Sequence, residues 1–129
     1  MPFYHAIVKQ DLLAEPQRQQ FAQDVVDIHC RVTGAPPSFV HVLVTEDDRG
    51  RLADGRSGQI NGTIRAGRTD AQKKEITDDM SQALAQRAGV EPSTVGAATT
   101  DIEASFTMEG GALLPEPGSA EEDAWKKVA

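Results

Sequence analysis

The chain has 129 residues and a formal net charge of −7, and so acidic a surface repels phosphate backbones, which argues against nucleic-acid and anionic-membrane partners. Only 5% of the residues are aromatic, so the core has to come mainly from Val, Ile, Leu and Ala, a lean core of the kind that oligomerisation supplements. Cys30 is the only cysteine, which excludes an internal disulfide, leaves no Cys partner for a structural zinc site, and suits a reducing, cytoplasmic setting.

In chain order, residues 3–9 alternate Tyr4, Ala6 and Val8 against Phe3, His5 and Ile7 and read as a short strand. Pro16 stands where a first helical turn accepts it, because the N–H it lacks has no partner there. Phe21, Val25, Ile28 and Val32 then recur at helical spacing, and Gly34 ends the helix in a left-handed conformation. Pro36-Pro37 breaks the chain, and Phe39 to Val44 is a strong strand. Residues 47–57, rich in Asp, Arg and Gly, form a loop. Gly58 to Arg65 is a weaker strand, and Thr69-Asp70-Ala71-Gln72 is a capping-box candidate. The second helix turns Ile76, Met80 and Leu84 inward and stops at Gly89, and Val95 to Ile102 forms the fourth strand. Residues 103–129 are a tail with Gly and Pro, carrying a short helix from Ala120 to Lys127.

The punctuation repeats at an offset of 55: Gly34 with Gly89, Pro37 with Pro92, Ser38 with Ser93, Phe21 with Ile76. The chain therefore reads as one domain over 1–129, with β-α-β units at 3–46 and 58–102 and a tail at 103–129. Each unit implies two parallel strands joined by a crossover helix. The fold class is α/β (α+β): tandem β-α-β units giving a four-stranded, mainly parallel sheet with two helices on one face. The bare face needs a cover, which another subunit can supply.

Three features can carry chemistry. Loss of Met1 would leave Pro2 a free secondary amine, and terminal amines titrate not far above neutrality, so such a group can take and return protons. Taken alone, a Met-Pro start is common and says little. Arg65 and Arg68, around a glycine turn, can clamp a small organic acid, since guanidinium groups hold carboxylates in fixed geometry; a solvated basic turn fits the same residues. His29 borders the apolar stripe of the first helix, where a satisfied core histidine is commoner than a catalytic one. No phosphate-binding loop, dinucleotide fingerprint, zinc-protease motif or nucleophile elbow is present, and nothing gathers the three histidines around a metal. No cofactor is expected. No run of about 18 apolar residues exists, and the N-terminus lacks a basic stretch followed by an apolar one, so neither a membrane span nor a signal peptide is expected.

A chain opening Pro2-Phe3-Tyr4 and built as a doubled strand–helix–strand unit resembles the tautomerase superfamily. Within it, the arginine pair and the segment Glu109-Gly110-Gly111-Ala112-Leu113-Leu114-Pro115-Glu116-Pro117-Gly118 look most like the group around cis-3-chloroacrylic acid dehalogenase. The resemblance implies a catalytic proline at Pro2, a helical histidine at His29, carboxylate-binding arginines at Arg65 and Arg68, and a water-activating glutamate at Glu109. One departure stands out. The dehalogenase carries a tyrosine eleven residues before that glutamate, where this chain has Ala98.

Hydration of a haloacrylate needs an activated water, a proton donor and a polarised acid, whereas enol–keto conversion needs one base and cations that steady an enolate. The expectation is therefore a tautomerase acting on small 2-oxo acids, ahead of a cis-3-haloacrylate dehalogenase or hydratase, and both ahead of a decarboxylase. A non-catalytic member that binds small acids stays open. The resemblance also implies a homotrimer whose partner is a small carboxylate substrate.

Overall fold

The computed structural model describes residues 1–127. Strand β1 (Phe3–Val8) lies inside a four-stranded sheet ordered β2-β1-β3-β4, with β2 at His41–Glu46, β3 at Gly58–Arg65 and β4 at Val95–Ile102. β1 and β2 pair in parallel, as do β3 and β4, while β1 and β3, where the two units meet, are antiparallel. The mainly parallel sheet expected from the repeat is thus present, with its one antiparallel pairing at the centre.

Helix α1 (Glu15–Thr33) has Pro16 in its first turn and ends at Gly34, φ 76°, whose N–H bonds back to the Cys30 carbonyl. Helix α2 (Asp70–Ala88) is opened by the expected capping box: the Thr69 hydroxyl accepts from the Gln72 N–H at 3.1 Å, and the Gln72 side chain accepts from the Thr69 N–H at 2.9 Å. Both helices have 19 residues and start 55 positions apart. Tyr4, Ala6 and Val8 of β1 and Ile60 and Ile64 of β3 form one core with Phe21, Val25 and Ile28 of α1 and Ile76, Met80 and Leu84 of α2. Both helices therefore cover the same sheet face. They run antiparallel, tied by a bidentate Arg87–Asp24 pair at 2.7 and 2.9 Å and by Arg31 reaching Glu75 and Asp79. The other face leaves Phe3 and Leu43 exposed.

Three details differ from the sequence reading. β2 begins at His41, because the Val40 N–H bonds the Pro37 carbonyl and draws Phe39 into a single 3-10 turn. The first strands of the two units are one residue out of step with the rest: Tyr4 sits beside Val42 and Ile60 beside Ala97, so β3 follows β1 by 56 positions while β4 follows β2 by the 55 of the helices. The tail, read as irregular before its helix, contains a two-stranded ribbon, β5 (Met108–Glu109) and β6 (Ala112–Leu113). Its loop is Gly110-Gly111, both at positive φ, the conformation a two-residue hairpin demands. Helix α3 (Ala120–Lys126) follows.

Candidate active site

The register of the sheet decides what meets Pro2. Pro2 precedes β1, is buried, and its carbonyl accepts the His41 N–H at 3.1 Å, which holds the start of the chain beside β2. Because β3 runs antiparallel with Thr63 opposite Phe3, its exit delivers Arg65 to the level of the residues before Phe3. The late turns of α1 bring His29 to the same end. A small enclosed cavity there is lined by Met1, Pro2, His29, Arg65, Arg68 and Trp125. Glu109, on β5, stands at its edge, where its carboxylate accepts a 2.7 Å charge-assisted bond from the amine of Met1. The five residues singled out from the sequence are thus brought to one place, although they span 108 positions.

His29 is buried and its Nδ1 lies 2.7 Å from the Tyr4 hydroxyl, the two rings meeting edge to face. Burial, and then the positive charges of Arg68, the N-terminus and Arg65, lower its pKa to about 4, so the imidazole is neutral at pH 7. Burial also keeps the Tyr4 phenol protonated, far above its ordinary range, with Arg68 offsetting only part of the effect. A phenol donating to Nδ1 selects the tautomer that carries its proton on Nε2.

The two arginines differ in circumstance. Arg65 is 5% exposed and both its terminal nitrogens are engaged by the tail: one donates to the Pro115 carbonyl and the other to the Glu122 carboxylate, each at 2.5 Å. Trp125 covers the same guanidinium at 4.8 Å and packs on Phe39. Arg68 is half-buried and has no ion pair or side-chain hydrogen bond among the described residues. Burial, followed by the like charge of Arg65, makes its ionised form less favourable than in water, and Glu122 and Tyr4 oppose this.

Tyr4, Glu122 and Trp125 are the residues that sequence reasoning did not place here. The alternation of β1 already turns Tyr4 inward, and Trp125 is the only tryptophan, but neither signal names a partner. Glu122 lies in the acidic stretch Glu121-Glu122-Asp123, which gives no local signal of an arginine partner. Among the described residues no group of three or more His, Cys, Asp and Glu side chains could hold a metal ion, and no helix is long and apolar enough to cross a membrane.

The fold and sequence have solved relatives. The crystal structure of native Ps01740 is 36% identical, with a TM-score of 0.76 over 83% of this chain and 99% of that one. The structure of N1, a member of the cis-3-chloroacrylic acid dehalogenase family, is 28% identical, with a TM-score of 0.83 over 95% and 89% of the two chains. The chain belongs to the tautomerase superfamily. A fused 4-OT asymmetric trimer, 23% identical with a TM-score of 0.76 over 86% of this chain and 94% of that one, has the same tautomerase fold. No protein-family model matches the chain, and no curated protein does. Within the superfamily, its likeness to N1 accords with the group suggested by Arg65, Arg68 and the Glu109 segment.

Proposed function

We propose that the chain is a tautomerase that converts the enols of small 2-oxo acids to their keto forms, with the amine of Pro2 as its acid–base group. The observation that carries this reading is the convergence of Pro2, His29, Arg65 and Arg68 on one cavity, with Glu109 at the N-terminus. Loss of Met1 frees the Pro2 nitrogen and clears the side chain that lines the cavity.

In the reaction, the arginine end of the cavity holds the substrate carboxylate. Pro2 takes the enol O–H proton, the C–C double bond supplies the electrons for a new C–H bond, and Pro2 returns the proton to that carbon as the carbonyl forms. His29 stays neutral and turns Nε2 toward the substrate, its Nδ1 held by Tyr4. An imidazole whose pKa is near 4 is a poor base at pH 7, so it orients and donates while Pro2 moves the proton. Glu109 orients the amine or a water.

Phenylpyruvate enol is a suitable probe. The Pro2→Ala variant is expected to ketonise it at least about 10²-fold more slowly, the usual contribution of a positioned acid–base group. A wild-type rate in that variant sinks the mechanism.

The likeness to N1 and the place of Glu109 favour one second reading, cis-3-haloacrylate dehalogenation or hydration. Against it, Ala98 is exposed on β4, and the only tyrosine, Tyr4, is bonded to His29 and does not line the cavity. Efficient turnover of cis-3-chloroacrylate would reverse the ranking.

We also propose a homotrimer, its subunits meeting through the bare sheet face that carries Phe3 and Leu43. Its support is that exposed apolar face together with the trimeric fused 4-OT relatives.

A further inference from the structure

The tail places a carboxylate of the chain's own against one of the two arginines. Glu122 is 8% exposed and bonds Arg65 at 2.5 Å, while its other oxygen accepts the Gly118 N–H at 3.2 Å and lies 3.4 Å from Lys126. Burial pushes the Glu122 carboxyl up, but Arg65, the Gly118 N–H and Lys126 together more than reverse this and keep it ionised. A buried charge pair is costly to open from one side, because removing either partner strands the other. Arg65 also gives its second terminal nitrogen to Pro115 and its face to Trp125. Both terminal nitrogens and the charge of Arg65 are thus paired within the chain. Arg68, on the same cavity, has no such partner among the described residues.

We infer that Glu122 is a specificity-determining residue: by neutralising Arg65 it leaves Arg68 as the guanidinium open to a ligand, and so restricts the site to acids with a single carboxylate. The inference rests on the proposed small-acid site and divides the labour of its two arginines. A second carboxylate on the ligand would find the Arg65 guanidinium already charge-paired with Glu122 and would have to compete with that pair for it. Arg65 and Glu122 thereby anchor the tail over the site, and Trp125, packed on Arg65, closes it.

The test compares two enols of different charge, those of phenylpyruvate and of 2-oxobutanedioate, in the wild type, Glu122→Gln and Glu122→Asp. Gln keeps an oxygen for Arg65 but removes the charge; Asp keeps the charge on a shorter stem. Expected with Glu122→Gln is a rise of about tenfold in the ratio of kcat/KM for the dicarboxylate to kcat/KM for phenylpyruvate, carried by KM. Glu122→Asp, although it disturbs the packing more, should keep the wild-type preference. Arg68→Gln should raise KM for phenylpyruvate about tenfold or more. If Glu122→Gln improves both substrates equally, Glu122 merely competes with the one carboxylate for Arg65, and the inference is wrong. An unchanged preference also overturns it. Fluorescence of Trp125, the only tryptophan, provides a binding arm with butanoate and butanedioate that needs no turnover. The same preference and its reversal in Glu122→Gln are expected there. Should no enol react while the binding preference holds, the tautomerase reading fails and this inference stands.

Discussion

Burial holds His29 neutral, and this makes the protein's stability depend on pH in a defined window. The folded imidazole titrates near 4 and the unfolded one near 6.5. As pH falls from neutrality the unfolded chain takes up this proton first. The stability contributed by neutral His29 is therefore complete above about 6.5, declines as pH falls through the window and levels off below about 4. Its size is on the order of 3 kcal/mol. Urea unfolding of the wild type and His29→Gln at pH 7 and pH 4.5 checks this: the wild type should lose more stability than the variant. Equal losses would show that His29 is not the group responsible. Sequence spacing put His29 at the border of the apolar stripe, and there it is a satisfied buried histidine whose ring also lines the cavity. Its partner Tyr4 was not legible. Alternation reveals which face of β1 a residue takes, but not which side chain of a helix 25 residues away will meet it.

Among the elements, those set by local chemistry were the legible ones. Thr69 with Gln72 opens α2, and Gly34 and Gly89 close the two helices, because caps act within one turn of chain. The hairpin of β5 and β6 escaped because strands of two residues are too short to alternate, although Gly110-Gly111 was its signal. The commitment of Arg65 to Glu122, 57 residues on, belongs to tertiary structure and left no trace in either local sequence. The central pair of strands depends on a close approach that local propensity also hides. At Gly62 of β3 an added Cβ would lie 2.4 Å from the Tyr4 ring, whose hydroxyl is fixed by His29. The variant Gly62→Ala should therefore lose about 1–3 kcal/mol in urea unfolding, as overpacked cores do, and also lose enol turnover as Tyr4 and His29 shift. A loss below about 0.5 kcal/mol would mean that the ring moves aside freely.

For the molecule as a whole, the doubled unit explains why one end of the sheet carries the site. Joining two parallel pairs through an antiparallel β1–β3 contact brings the start of the first unit beside the exit of β3, so Pro2 and Arg65 meet without any loop having to reach across. The same arrangement leaves a sheet face without helices, and light scattering should give the mass of three chains; a monomer mass would contradict the proposed trimer. The proposed chemistry depends, however, on one nitrogen. In a chain that keeps Met1, the Pro2 nitrogen is an amide and Met1 fills part of the cavity and holds Glu109. The most direct measurement is phenylpyruvate enol ketonisation by two preparations whose intact masses show Met1 fully removed in one and fully retained in the other. Activity is expected in the processed chain and none above background in the unprocessed one. Equal rates in both would contradict a role for the Pro2 amine.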